Sequence, residues 1–413
     1  MAIVKPFRGI RPSERLVEKI VVKPFDVLNM DEAVKIGKSN PISFLHISRP
    51  EINLSKDVDW RDVLVHQRAG FEIEKFINDG TLLIESKEML YICRQTCNGI
   101  VRTGIAGCVS VDDYMNGIIK KHEMTRVEKE NNRMEHLEIC CTNTEPVILT
   151  YRDNRQIRSI IEGYTGNHKA EYDMELDGVK YELWAIKDDN VVNGICGLFK
   201  NVPNFYIADG HHRMASAYRL CNKKRQQEES YSGNECYNYV MAVIFPDTDL
   251  TVLEYNRMIK DLNGHSINEF LEKVQAAGFS VTKIEGGKYR PECRHTFGMY
   301  LDNYWYKLEA KEEIWGDNAV DGLDVSILQN NIISPILGIE DPRVDERIEF
   351  IGGHKTVEEL ENAVKKDMSG AFTLYPVGID EVMNISDLEL SMPPKSTWVE
   401  PKLATGFLMY KIQ

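Results

Sequence analysis

Two histidines and an arginine follow a glycine turn near the middle of the chain, in the run Asp209-Gly210-His211-His212-Arg213. Residues 205–208, before the turn, form a short apolar run of the kind that makes a buried strand. Between residues 214 and 221, apolar side chains recur at helical spacing, which predicts a helix that begins at the histidines. The unpaired N–H groups of a helix N-terminus attract an anion, and an arginine adds donors that match phosphate or carboxylate. The run therefore predicts an anion-binding site.

A plainer interpretation of the same run stays open. In it, Asp209 caps the helix, Gly210 makes the turn, and the polar start of the helix is simply solvated. Short motifs give many false matches. Two histidines beside an arginine are nevertheless harder to explain as solvation alone.

A second charged group lies in the run 120–126 and continues along a predicted helix at 124–138. At 3.6 residues per turn, four basic side chains fall on one face of that helix: Arg126, Lys129, Arg133 and His136. This stripe is predicted to face a polyphosphate, with His122 or Glu123, at the strand-to-helix junction, as general base. The alternative is a solvated helix face on which Glu130 pairs with Arg126 and Arg133.

A third group, Lys395-Ser396-Thr397 with Lys402, lies in a proline-braced loop near the end of the sequence. As a lid that returns to the site, this loop would bring Lys395 to a phosphate, and this is the second-ranked interpretation. A rigid surface turn is the other interpretation, since loops rich in proline and lysine are commonly that.

Around these groups the sequence predicts a mixture of helices and strands. Asn98-Gly99 and Asp177-Gly178 each lie between two strand-like runs, and both dipeptides are typical of tight hairpin turns. Ser266 and Glu269 have the spacing of a capping box that opens a helix. Residues 250–262 are also predicted to be helical. The fold class that follows is α+β, or mixed α/β.

Length and composition limit the function. The 413 residues suggest two or three domains, and we place a weak boundary between 1–240 and 241–413. A net charge of −14 argues against broad nucleic-acid binding. No segment reads as a secretory signal or a membrane span, so a cytoplasmic protein without membrane contact is expected. The nine cysteines are then expected to stay reduced, without structural zinc. The oligomeric state stays open, with a homodimer among the options.

The central run resembles the phosphate-binding Gly-x-His-Arg element of sulfiredoxin and, more loosely, the glycine and arginine box of the ParB partition proteins. Over nearly its full length, the chain is identified as a member of a prokaryotic family catalogued as domain of unknown function 1015. Short segments along the whole sequence carry this resemblance: Lys5-Pro6-Phe7-Arg8, Pro24-Phe25-Asp26-Val27, Asn40-Pro41, Ser43-Phe44-Leu45-His46, Lys121-His122-Glu123, Thr125-Arg126, Asp209 to Arg213, Leu323-Asp324-Val325-Ser326 and Met392-Pro393-Pro394-Lys395-Ser396-Thr397.

The resemblance implies a ParB/sulfiredoxin-like core with β-hairpin insertions and a C-terminal α/β portion. Similar proteins include free-serine kinases, which move a phosphoryl group from ADP or ATP to serine. By that resemblance, Gly210, His212 and Arg213 hold the phosphates, and Asp209 and His211 belong to the same element. The serine kinases use an N-terminal glutamate as base. Its counterpart in this chain is left unassigned, and the candidates are Asp26, Glu123 and Glu51.

The expected function is therefore phosphotransfer from ADP or ATP, with Mg²⁺, to a small hydroxylated metabolite such as free serine. Phosphoryl transfer asks of the protein mainly positive charge and a well-placed acceptor hydroxyl, which the predicted cations could provide. Two alternatives share the anion site: a non-catalytic sensor of a nucleotide or phosphometabolite, and a phosphate-ester hydrolase. A DNA-partition role is disfavoured by the net charge and by the lack of an evident helix-turn-helix.

Overall fold

The computed structural model describes residues 2–24, 27–55 and 57–412. Contacts within the chain divide it into two compact units. The first unit contains Met1–Lys121, Thr125–Leu250 and Pro401–Gln413, and the second contains His122–Met124 and Thr251–Glu400. Each unit has its own apolar core. The domain boundary after residue 240 stays a prediction, because compactness within one structure does not test independent folding.

The described residues form these strands, in chain order: β1 (Val4–Lys5), β2 (Gly9–Pro12), β3 (Leu82–Ile84), β4 (Leu90–Cys97), β5 (Ile100–Ser110), β6 (Ile119–Lys120), β7 (Thr142–Asn143), β8 (Val147–Tyr151), β9 (Tyr172–Leu176), β10 (Val179–Ile186), β11 (Phe205–Asp209), β12 (Tyr239–Pro246), β13 (Thr251–Leu253), β14 (Tyr255–Ile259), β15 (Phe279–Lys283), β16 (Thr296–Leu301), β17 (Tyr304–Ala310), β18 (Ile348–Gly352), β19 (Gly370–Leu374), β20 (Trp398–Glu400) and β21 (Met409–Lys411).

The helices of the same residues follow in the same order: α1 (Val17–Ile20), α2 (Met30–Ser39), α3 (Leu45–Ser48), α4 (Val63–Asn78), α5 (Val111–Met115), α6 (Val127–Cys140), α7 (Arg155–Asn167), α8 (Asp189–Phe199), α9 (His211–Gln227), α10 (Ile267–Ala276), α11 (Asp324–Leu328), α12 (Val357–Asp367) and α13 (Ile379–Asp387). Over the described residues, none of these helices combines the length and the apolar character that a membrane crossing requires.

The first unit is built on a large mixed sheet. Its strands lie in the order β6-β11-β8-β12-β5-β4-β10-β9, and β1 pairs with β5 at its side. Strand β11 runs parallel to β6 and antiparallel to β8. A smaller sheet has the order β3-β2-β21-β7, so a strand from the end of the chain pairs with one from its beginning. The large sheet thus places β11, which leads into the predicted anion site, next to the sheet's outer strand.

Both predicted hairpins of the first unit are confirmed. Strands β4 and β5 pair across Asn98-Gly99, and β9 and β10 pair across Asp177-Gly178. In each turn both central residues have positive φ, with values of 50° and 77° in the first and 53° and 77° in the second. A two-residue turn with this backbone matches the twist of the flanking strands, and asparagine, aspartate and glycine tolerate it.

The second unit contains a six-stranded sheet, β15-β17-β16-β19-β14-β18, and a two-stranded sheet, β13-β20. The predicted capping box of Ser266 and Glu269 is confirmed at the start of α10. The helix predicted at 250–262 is wrong, because this segment forms β13 and β14. Pairing of β14 with both β18 and β19 outweighs the helical spacing of its apolar side chains.

The predicted fold class is confirmed, since helices and strands are mixed in both units. The likeness of the core to ParB and sulfiredoxin stays a prediction. For the site, the important feature is the sequence β11–Gly210–α9, in which a buried strand leads through one residue into a helix of more than four turns.

Candidate functional site

Gly210 makes the connection between β11 and α9 and has the left-handed conformation, with φ of 94°. A side chain at this position would meet a second obstacle, because a Cβ atom would lie 2.8 Å from Nε of Arg213. Glycine is thus required both by the backbone conformation and by the close approach of the arginine. The turn glycine predicted from the sequence has this role in the structure.

Asp209 lies between two cations of the first unit. Its Oδ2 atom is 3.2 Å from Nζ of Lys402 and 3.4 Å from Nη2 of Arg213. Burial alone would raise the pKa of Asp209, but the two cations outweigh it and hold that pKa at about 2. The carboxylate is therefore ionised at every physiological pH, and it fixes both cationic side chains rather than accepting a proton.

The guanidinium of Arg213 is held in one orientation by three oxygen atoms. Its Nη1 donates to the carbonyl oxygen of Pro146 and lies 3.9 Å from Oε2 of Glu145, while its Nη2 faces Asp209. An arginine has five N–H donors in a planar fork. The contacts to Pro146 and Asp209 therefore position the fork and leave donors for a further ligand.

Helix α6 packs against α9, and the two helices share a cavity of about 370 Å³. Arg133 and His136 of α6 line this cavity together with Arg213 of α9. The segment that joins β7 to β8 closes another side with Thr144 and Glu145. Two of the basic residues predicted on the α6 stripe are thus brought to the same cavity as Arg213.

Burial has a strong effect on the α6 side chains that line the cavity. It lowers the pKa of Arg133, an effect that Glu145 opposes and Arg213 increases. It also lowers the pKa of His136 to about 3, with His66 and Arg133 acting in the same direction. At neutral pH the imidazole of His136 is therefore uncharged, while arginine side chains keep their charge in proteins.

The two histidines at the start of α9 are also neutral at pH 7. Burial lowers the pKa of His211 to about 3 against the pull of Asp209. Burial, followed by Lys129 and Arg133, lowers the pKa of His212 to about 4. Each neutral imidazole can donate one N–H and accept one hydrogen bond. They are suited to orient an oxygen-rich ligand without adding charge.

Glu130 has a different role from the one that a solvated helix face would give it. Its carboxylate accepts hydrogen bonds from Thr125 Oγ1 and from Nε of Arg219 on α9. The side chain is buried, and these partners connect α6 to α9. Arg126 precedes α6 as its N-cap residue and lies, exposed, 3.7 Å from Glu128. The face of α6 that contains Glu130 is therefore packed against α9 and not solvated.

The other predicted site residues do not belong to this cavity wall. His122 and Glu123 are part of the second unit, where the buried His122 accepts a hydrogen bond of 2.7 Å at its carbonyl oxygen from Met392 N–H. Lys395 also belongs to the second unit, and its Nζ lies 3.3 Å from the Tyr255 hydroxyl. Asp26 lies outside the described residues.

Sequence reasoning missed the segment that closes the cavity. Asn143, Thr144 and Glu145 line it, and Pro146 supplies the carbonyl oxygen that holds Arg213. The only sequence signal there is a Glu-Pro pair before an apolar run, which indicates a strand start and no chemistry. Their role depends on strand order, since β8 lies beside β11 only in the folded sheet.

Fold and site together define a mixed α/β protein with a cationic cavity at the N-terminus of a long helix. The chain belongs to the family described as "Protein of unknown function (DUF1015)", which matches residues 4–326. A comparison with curated proteins gives no match.

Several solved structures are similar to the chain. A free serine kinase in complex with AMP is 14% identical, with a TM-score of 0.39 over 74% of this chain and 90% of that one. A conserved hypothetical protein from Pyrococcus furiosus is 14% identical, with a TM-score of 0.37 over 74% and 94%. SbnI from Staphylococcus aureus, truncated at its C-terminus, is 11% identical, with a TM-score of 0.39 over 73% and 86%. At these values the likeness carries no argument about function.

Proposed function

We propose that the protein binds a nucleoside diphosphate or triphosphate in the α6–α9 cavity and transfers a phosphoryl group to a small hydroxylated metabolite, such as free serine. The observation that carries this proposal is the convergence of Arg133 and Arg213 on one cavity at the N-terminus of α9. Two guanidinium groups from different helices, beside unpaired backbone N–H groups, are an arrangement suited to a polyphosphate.

The charges around the cavity favour an anion with several negative oxygens. Arg133, Arg213 and Lys402 face the two carboxylates Asp209 and Glu145, and Lys129 acts on His212 from the same helix face. Positive charge therefore exceeds negative charge. A single carboxylate ligand would leave part of that excess uncompensated, whereas a diphosphate would balance it.

In the proposed site, Arg213, Arg133 and the neutral His212 hold the phosphate oxygens. They stabilise the charge that spreads over the equatorial oxygens during transfer, which is the main demand of this chemistry. His211 supports the turn with Gly210, and Lys129 with Arg126 draws the anion from solvent. Asp209 keeps Lys402 and Arg213 in place.

The base that accepts the hydroxyl proton is proposed on sequence grounds, as Glu123 first and His122 or Asp26 as alternatives. Glu51 also stays among the candidates, and burial raises its pKa. Mg²⁺, bound together with the nucleotide, would supply further positive charge to the transferring phosphoryl group. Within the described residues no group of three histidine, cysteine, aspartate or glutamate side chains is placed to hold a metal ion.

The test is direct turnover. Purified protein is incubated with serine, Mg²⁺ and either ADP or ATP, and phosphoserine is followed by phosphorus NMR. We expect phosphoserine with one of the nucleotides, and Arg213→Ala to abolish it while weakening nucleotide binding by about 2 kcal/mol or more. Arg155→Ala, which removes an exposed arginine from α7 of the same unit, is the matched control and should change neither.

Other outcomes separate the alternatives. Tight nucleotide binding without turnover on a panel of hydroxylated metabolites would identify a sensor. Release of inorganic phosphate from phosphate esters would identify a hydrolase that uses water as acceptor. If no nucleotide binds and Arg213→Ala changes nothing, the proposed function is wrong.

A further inference from the structure

A second cavity lies in the first unit beside the cationic one, and Thr144 lines both. We propose that this apolar cavity holds the planar base of a nucleotide whose phosphates lie between α6 and α9. This inference rests on the proposed function. It adds that the base of the nucleotide is recognised, and that the apolar cavity recognises it.

The walls of the cavity are mainly apolar and partly aromatic. Strand β10 contributes Tyr181 and Leu183, and the segment before β21 contributes Leu403, Phe407 and Leu408. The rings of Phe407 and Tyr181 lie 5.6 Å apart at an angle of 36°. Phe407 is half-buried, so part of its ring stays accessible. Such a surface favours a flat ring, because stacking combines apolar contact with aligned π-systems.

A few polar groups interrupt the apolar wall. Thr405 is 8% exposed, and its Oγ1 has no hydrogen-bond partner in the described part of the chain. Gln95 and the buried Thr144 line the same cavity. A buried hydroxyl without a partner is costly, and buried polar groups normally have one. The hydrogen-bonding edge of a base would provide that partner, whereas an alkyl chain would not.

Two short segments, 144–146 and 402–403, connect this cavity to the cationic one. In the first segment, Thr144 lines both cavities, and Pro146 lines the apolar cavity while its carbonyl oxygen accepts from Arg213. In the second, Lys402 contacts Asp209 at 3.2 Å and is followed directly by Leu403 in the apolar wall. A ligand that fits both cavities needs a planar apolar end and an anionic end, and a nucleotide has this chemistry.

The experiment compares ADP with pyrophosphate by isothermal titration calorimetry on the whole chain. Thr405→Val removes the hydroxyl at nearly constant shape and should weaken ADP binding by a factor of roughly three to ten. Phe407→Leu removes the ring and should weaken it by about tenfold or more. Both variants should bind pyrophosphate as the unmodified protein does. Phe71→Leu, which removes an aromatic ring that is 57% exposed on α4, is the matched control and should leave ADP binding unchanged.

The outcomes distinguish this inference from the proposed function. If neither ADP nor pyrophosphate binds, both are wrong. If both ligands bind but neither variant selectively weakens ADP, the base pocket is wrong and the phosphate site stands. Tighter binding of farnesyl diphosphate than of ADP would assign the cavity to an alkyl chain and overturn the inference. Thermal unfolding of each variant shows whether it is folded, and one folded variant decides the result even where the other does not fold.

Discussion

The partly buried Asp209 of the first unit and the buried Asp324 of the second have pKa values that are shifted in opposite directions. Asp209 in the first unit faces Lys402 and Arg213, which hold its pKa at about 2 despite burial. In the second unit, burial raises the pKa of Asp324 to about 7, and the backbone N–H of His295, 2.9 Å away, opposes this only in part. Burial alone therefore does not make a charged site; the partners decide whether a carboxylate is ionised.

The surroundings of the two aspartates also differ: Asp324 is packed among other side chains, whereas Asp209 lies beside cationic groups. Asp324 lies at the start of α11, and His295 stacks on Trp315 with the ring centroids 4.0 Å apart. There, a carboxylate with a raised pKa is one member of a packed cluster. Around Asp209, by contrast, Arg213 from the start of α9 and Lys402 from the segment before β21 contact one carboxylate, and Arg213 also lines the cationic cavity. This arrangement concentrates positive charge beside the cationic cavity.

The largest effect is expected from Arg133→Met. Removing one of the two guanidinium groups that line the cationic cavity should weaken ADP binding by about 2 kcal/mol or more. Because burial lowers the pKa of Arg133, the free energy of unfolding should stay the same or rise slightly. Calorimetric titration and urea unfolding measure the two effects. Weaker binding that comes with a large loss of stability would mean that Arg133 serves the fold instead of the ligand.

A second large effect, on stability and not on binding, is expected from Asp324→Asn. The folded-state pKa of Asp324 is raised from 3.8 to about 7, so its contribution to stability is complete below pH 4 and is lost as pH rises to 7. Asparagine imitates the protonated form, and the variant should gain on the order of 2 to 3 kcal/mol relative to the unmodified protein at pH 8.

Urea unfolding at pH 4 and pH 8 tests this pH dependence. The exposed Asp317 of the same unit supplies the control variant, Asp317→Asn, which should show no such gain at either pH. Equal stability of Asp324→Asn and the unmodified protein at pH 8 would contradict the contrast between the two aspartates.

Gly210→Ala should cost about 1 to 2 kcal/mol of stability from the left-handed backbone alone. A further loss is expected because the new Cβ would displace Arg213. Gly117→Ala is a sharp control, since Gly117 has φ of 70° and open space around the position of a Cβ. Thermal unfolding and ADP titration of both variants should show the larger loss, and the only loss of binding, at residue 210.

The smallest effect concerns the stability that Asp209 provides. Its folded-state pKa is depressed from 3.8 to about 2, so its contribution is present above pH 4 and is lost as pH falls from 4 to 2. Because a third of the side chain is exposed, solvent screening reduces the gain, and Asp209→Asn should cost about 1 kcal/mol at pH 7 and almost nothing at pH 2.

Asp173→Asn breaks an exposed ion pair with Lys180, 3.2 Å long, and serves as the comparison for Asp209→Asn. Surface pairs of this kind contribute little. Urea unfolding should therefore show a smaller cost for Asp173→Asn at pH 7. The reverse order of the two variants would mean that Lys402 and Arg213 do not compensate the burial of Asp209.

Local sequence patterns were sufficient to predict those features that depend only on residues close together along the chain. The turn at Gly210, the hairpin at Asn98-Gly99 and the cap at Ser266 each depend on backbone preferences within a few residues, and all are present. Helix periodicity also placed Arg133 on the face of α6 that meets α9.

The rest depends on which strands become neighbours. Glu145 and Pro146 reach Arg213 only because β8 pairs with β11, and no local pattern encodes that choice. The helix predicted at 250–262 is wrong for the same reason. Strand β14 pairs with two other strands, and its own sequence does not reveal them. The sequence around Thr405 and Phe407 does not indicate a binding site. Their cavity is formed by segments that are far apart along the chain.

The strand β21 has a consequence for biosynthesis. It lies between β2 and β7, so Gly9 pairs with Tyr410, and the residues just before it supply Lys402 and the wall of the apolar cavity. The ribosome synthesises residues 251–400 before it reaches Lys402, the apolar wall residues 403–408 and β21. The nascent first unit must therefore wait, with an open sheet edge and an incomplete apolar cavity, while the second unit is synthesised. Such a chain is exposed to aggregation for longer than one with local pairings.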